Sequence, residues 1–72
     1  MRDLVEELRQ ACSHAPAGDK VLTIHLFGIR EVRCLQGVNL RELAECAGIG
    51  ASFGTELRKG MRLAERVRIV RD

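Results

Sequence analysis

The run Asn39-Leu-Arg-Glu-Leu-Ala-Glu-Cys-Ala-Gly-Ile-Gly-Ala-Ser-Phe-Gly-Thr-Glu-Leu constrains the fold more than any other part of the chain, because it spells two short helices separated by a glycine turn. Asn39 is placed to cap the first helix. Its side-chain oxygen can accept a bond from the first turn, and Glu42, three residues on, can reach back to the Asn39 amide as in a capping box. Leu40, Leu43, Ala44 and Ala47 recur at helical spacing and form one apolar stripe. Gly48 stands where the stripe ends, in position to adopt the left-handed conformation that closes a helix. Ile49 then reads as an apolar plug between the helices. Ser52 is the expected cap of the second helix, with Phe53, Leu57 and either Gly60 or Met61 on its inner face.

The rest of the chain supplies a frame for this unit. Residues 1–12 carry Leu4, Leu8 and Ala11, with Val5 and Cys12 alongside, on a stripe opposed by Glu6, Glu7, Arg9 and Gln10. Pro16 and Gly18 break that helix, and Asp19 is a good cap for the next one. Residues 19–34 are apolar on most sides, with Val21, Leu22, Ile24, Leu26, Phe27, Ile29 and Val32, and read as a central helix buried against several neighbours. The first helix of the glycine-turn unit takes residues 39–48 and the second 51–65. After Arg66 the alternation Val67-Arg-Ile-Val reads as a short strand, although a frayed helical end fits the same residues. A lone strand has unpaired edges, so it would pair with Glu31-Val-Arg-Cys-Leu, if the central helix ends early, or with a second subunit. The expectation is an all-α bundle of three or four helices in one domain. Its core should include Phe53, Leu57, Leu43, Ile49, Leu26 and Phe27.

Size and composition exclude several functions. A monomer of 72 residues buries only about 60% of the surface its unfolded chain exposes, which leaves little room for a self-contained enzyme cleft. No segment approaches the roughly 20 apolar residues that cross a bilayer, and the start Met1-Arg-Asp-Leu-Val-Glu-Glu is too acidic for a signal peptide. The cytoplasm is therefore the expected compartment. Cys12, Cys34 and Cys46 lack Cys-x-x-Cys spacing, so they read as small core residues in preference to disulfides or zinc ligands. His14 and His25 show no paired spacing with them, and His25 reads as a hydrogen-bonded histidine at a helix edge. No metal, cofactor or small-molecule ligand is expected, and Cys12, Ser13 and His14 are adjacent without forming a nucleophile and base.

Charge is distributed unevenly. Through Ala51 there are six Lys or Arg against seven Asp or Glu, whereas from Ser52 onward there are six against three. The basic third contains the second helix of the glycine-turn unit. On a helix starting at Ser52, the residues Thr55, Arg58, Lys59, Arg62 and Arg66 can point away from Phe53 and Leu57. Such a face can neutralise phosphates, and a guanidinium can also read guanine edges; it can equally be the solvated side of an ordinary surface helix. Among first-turn residues, Ala51, Ser52, Thr55 and Glu56, only Glu56 has length, and its carboxylate would favour cytosine N4 while repelling phosphates.

Two short helices about a glycine turn are the layout of a helix-turn-helix. Ala44, Gly48, Ile49 and Leu57 fall where helix-turn-helix DNA-binding domains carry a small residue in the first helix, a turn glycine, an apolar residue after it and an apolar residue late in the second helix. The resemblance covers about twenty residues, and Gly54 departs from it by standing where such domains place an aliphatic side chain. Either Phe53 supplies that packing or the second helix begins differently. The wider string His25-Leu-Phe-Gly-Ile-Arg, Gly37-Val-Asn-Leu and Gly54-Thr-Glu-Leu is similar to short bacterial helix-turn-helix-like proteins. The resemblance implies double-stranded DNA as partner, a role in transcription regulation, and a homodimer that meets two half-sites, with the terminal strand as a minimal wing. Ser52, Thr55, Glu56, Arg58, Lys59, Arg62 and Arg66 would then meet the nucleic acid. The alternative is a protein-interaction module of the same fold that does not bind DNA.

Overall fold

The computed structural model describes residues 3–16 and 18–67, and all regular elements among them are helical. Helix α1 spans Leu4–Ser13, α2 Lys20–Arg30, α3 Leu40–Cys46 and α4 Gly54–Leu63, with a single 3-10 turn, Ala51–Phe53, leading into α4. The chain is an all-α bundle. Asp3 caps α1, its Oδ1 accepting from Glu6 N at 3.1 Å, and Asn39 caps α3 in the same way through Glu42 N at 3.1 Å. Only half of the expected capping box forms, since no bond returns from the Glu42 carboxylate among the described residues. Gly48 takes φ +78° and lets Ile49 N reach back to Ala44 O at 3.1 Å, which turns the chain sharply and buries Ile49.

The core is aliphatic, with one aromatic ring at its centre. Leu8, Ile24, Phe27, Leu35 and Leu57 are its largest fully buried side chains, joined by Leu40, Leu43, Ala44, Ala47 and Ile49. Phe53, Val5 and Cys12 pack against it from the rim. The broadest contact joins α2 to α4. It depends on two glycines. A Cβ on Gly28 would lie 3.0 Å from Gly60 Cα and 2.7 Å from Leu57 O, and a Cβ on Gly60 would strike His25 O. These obstacles are backbone atoms, which cannot rotate out of the way. The helices therefore approach backbone to backbone, with the Leu57 carbonyl against Gly28, and the Leu57 side chain is fully buried.

Several expectations are corrected by this packing. The central helix stops at Arg30 and not at residue 34, because residues 31–37 form a series of turns. Leu35 N bonds to Glu31 O at 3.0 Å and Val38 N to Leu35 O at 3.1 Å, a path that drops Leu35 into the core. The stretch from Glu31 to Leu35 is thus not available as a strand. The central helix is also not buried on most sides: Val21, Leu22 and Leu26 are exposed, and Leu26 is no part of the core. Four short helices supply too few neighbours to cover more than one side of α2. Ser52 caps nothing, since it lies within the 3-10 turn and Phe53 precedes α4 without a side-chain cap. Asp19 makes no side-chain cap bond to α2. Cys34 and Cys46 are exposed, and only Cys12 packs against the core, where burial pushes its thiol pKa up. The strand expected at 67–70 lies outside the described residues, except for Val67, which has no regular structure.

Replacing Gly60 with Ala is expected to cost about 1–3 kcal/mol by overpacking the crossing, and Leu57→Ala about 2–5 kcal/mol by leaving a cavity beside it. Urea denaturation followed by circular dichroism measures both. An unchanged midpoint for Gly60→Ala would show that α2 and α4 can separate without loss.

Candidate nucleic-acid interface

The segment 39–63 folds as a helix, a turn and a second helix, and its outward side carries most of the residues expected at a site. The 3-10 turn delivers Gly54 against the start of α3. A Cβ there would lie 2.9 Å from both the Arg41 N and Arg41 Cα atoms, so Gly54 lets the first turn of α4 abut the first turn of α3. The departure of position 54 from the motif has its cause here. The position accepts no aliphatic side chain because backbone already fills the space, and Phe53, half-buried, supplies the packing.

The abutting helix starts create a cleft whose rim bears Arg41, Ser52, Thr55 and Arg58, with Leu40, Ala51 and Gly54 completing its lining. Arg41 and Arg58 also border a neighbouring concavity along the turn at 35–39. Both arginines are exposed, as are Ser52 and Thr55. Arg41 was not among the expected site residues, because along the sequence it belongs to the first helix and stands seventeen positions from Arg58. Its place on the rim follows only from the Gly54 contact. Further along the chain, Lys59, Arg62 and Arg66 are exposed on a second concavity that has Leu63, Glu65 and His25 in its lining. Six of the seven expected residues thus lie exposed along α4 and the turns that flank it.

Glu56 stands apart from them. Its Oε1 is 2.7 Å from His25 Nε2 on α2, and its Oε2 is 3.5 Å from Lys59 Nζ. The side chain is part-buried and braces α4 against α2 in place of projecting beside Arg58. The hydrogen bond from His25 is the main reason why the Glu56 carboxyl titrates below its ordinary value of 4.5, with Lys59 adding to the effect. On the other flank, Lys20 Nζ lies 4.6 Å from the centre of the Phe53 ring and 3.5 Å from Ile49 O, which pins the turn between α3 and α4 to the start of α2. The turn is therefore held from both sides. Among the described residues no group of His, Cys, Asp or Glu is arranged to hold a metal ion, and no helix is long and apolar enough to cross a membrane.

The model of a family described as an HTH-like domain matches residues 1–70, nearly the whole chain. No curated protein and no solved structure matches it.

The brace carries a pH dependence with a defined sign. A carboxyl whose pKa is lower in the folded than in the unfolded state adds stability above its unfolded value, and that stability is lost as pH falls through the lowered folded value. Glu56→Gln is therefore expected to be less stable than the wild type at neutral pH, with the difference shrinking below about pH 4 as the carboxyl protonates. Thermal denaturation of both proteins between neutral and acidic pH checks this. A gap that stays constant through the acid range would mean that the ionised carboxylate is not what holds the two helices.

Proposed function

Because the chain belongs to the HTH-like domain family, we propose that it binds double-stranded DNA through α3 and α4 and acts as a small transcriptional regulator. The observation that carries this reading is the cleft between the two helix starts, where Arg41 and Arg58, from different elements, share one rim with the hydroxyls of Ser52 and Thr55. Two guanidiniums at a concave edge suit the phosphate oxygens of a duplex backbone, and the hydroxyls add neutral donors. Lys59, Arg62 and Arg66 extend the positive charge along α4 and the turn after it, so that this side offers cations over its whole exposed length.

In this arrangement α4 is the helix that enters the major groove and α3 crosses the backbone. Thr55 and Ser52 are the first-turn side chains nearest the base edges, and both are short. Glu56, engaged with His25, has no free carboxylate to offer a cytosine amino group. Binding is accordingly dominated by phosphate contacts, with sequence preference coming from DNA shape and deformability more than from base-edge hydrogen bonds.

The test is a fluorescence-anisotropy titration of the wild type against mixed duplex DNA at two salt concentrations. Arg58→Ala and Arg41→Ala should each weaken binding to all duplexes alike and lower the slope of log affinity against log salt by about one unit. Arg9→Ala, exposed on α1, should leave the slope unchanged. Failure of the wild type to bind duplex DNA in low salt, where electrostatic affinity is greatest, would turn the basic helix into a surface for an acidic protein partner.

A further inference from the structure

We propose that the outward face of α2 is a homodimer contact, on which α2 of a second copy lies antiparallel. No element among the described residues covers this face: Leu22 is 55% exposed and Leu26 42%. Ile24, Phe27 and Gly28 take the buried side of the helix, and His25 turns its ring toward α4. Asp19, Leu22, Leu26 and Arg30 follow one another at helical spacing and so form a single outward stripe.

The order of charges along that stripe selects the occupant. An acid stands at the N-terminal end, two leucines in the middle and a base at the C-terminal end. Two such stripes related by a two-fold axis run antiparallel, which sets the acidic end of each against the basic end of the other. The register is consistent with the apolar contact. Placing Leu22 opposite Leu26 of the second copy, and the reverse, leaves Asp19 one residue away from Arg30 of that copy, about 1.5 Å along the axis and well within the reach of an arginine. A parallel pairing would instead put Asp19 beside Asp19 and Arg30 beside Arg30.

Both charged groups are exposed. Asp19 makes no cap bond to its own helix, and the adjacent Lys20 directs its ammonium to the Phe53 ring and Ile49 O on another side of the molecule. Arg30 donates from Nε to Glu31 Oε2 at 3.1 Å and its guanidinium carbon lies 5.6 Å from the centre of the Phe27 ring, yet 42% of its side chain remains exposed, so that it meets Asp19 of a second copy by sharing or exchanging the Glu31 bond. The stripe lies on α2, whereas the cleft of Arg41 and Arg58 is built from α3, the 3-10 turn and α4, so dimer formation leaves that cleft open. Two leucines and their neighbours form a patch smaller than the roughly 800 Å² per partner of a standard interface, which places the contact among the weak, concentration-dependent ones. The contact goes beyond DNA binding and is measured without DNA, so its failure leaves that reading untouched.

Sedimentation of the full chain, without DNA, is expected to show a concentration-dependent monomer and dimer. The double variant L22D/L26D should be monomeric while keeping its helical circular dichroism, because both leucines are exposed. Charge reversal discriminates the geometry. D19R alone and R30D alone each place like charges at both ends of the contact and should weaken the dimer about fivefold. Mixing D19R with R30D should restore association. In the mixed dimer the arginine introduced by D19R meets the aspartate introduced by R30D at one end, and the native Arg30 of the first chain meets the native Asp19 of the second at the other. A wild type that stays monomeric at millimolar concentration overturns the proposal. So does a dimer that persists in L22D/L26D, or a mixture no stronger than its components.

Discussion

Everything in this molecule depends on two helices touching at glycine. With a side chain at either Gly28 or Gly60, α4 would stand away from α2 by the width of a methyl group, and Leu57 would lose the enclosure that makes it fully buried. In a chain of this size few contacts are redundant, since the small domain keeps only a narrow margin between burial and conformational entropy. The glycines give up intrinsic helix propensity at two positions, roughly 1 kcal/mol each, and allow close backbone approach with the dispersion contacts that come with it.

The placement of α4 by that crossing also determines what α4 can present. With Leu57 and Gly60 inward, Thr55, Arg58, Lys59 and Arg62 are forced outward, because all six lie on one short helix. The second glycine contact, Gly54 on the Arg41 backbone, then brings a cation from α3 to the same rim as Arg58. Charge concentration thus arises from two close backbone approaches and not from a run of basic residues. The flanks are fixed by polar interactions on α2, Lys20 on Phe53 and His25 on Glu56. These keep the turn and α4 in one arrangement with respect to the rest of the domain.

The family resemblance and the fold agree with each other, and each accounts for something the other leaves open. The match to the HTH-like domain family spans residues 1–70, so it takes in the helices that frame the helix, turn and helix as well as that unit itself. The structure explains why position 54 carries no side chain here, which the motif alone leaves as an irregularity. It also separates Glu56 from its neighbours: an acidic residue at the start of a helix rich in cations serves the contact between α4 and α2, where His25 receives it with Lys59 alongside.

Local interactions were legible in the sequence. The Asn39 cap, the Gly48 turn, the buried positions Leu40, Leu43, Ala44 and Leu57, and the outward Arg58 and Arg62 all follow from hydrogen bonds or periodicities that span only a few residues, so the sequence by itself determined the helices and the faces they carry. Tertiary structure alone decided which hydrophobic residues found neighbours and which polar groups found partners. Leu26 and Leu35 show this clearly. One sits in a strongly apolar helix and is exposed, because no element among the described residues covers that side, while the other sits in a run of turns and is buried, because the chain bends inward there. Arg41 joining Arg58, and His25 meeting Glu56 across thirty-one positions, depend likewise on how the helices cross. Periodicity specifies the direction of a side chain relative to its own axis, but only the packing of several axes specifies what lies in that direction.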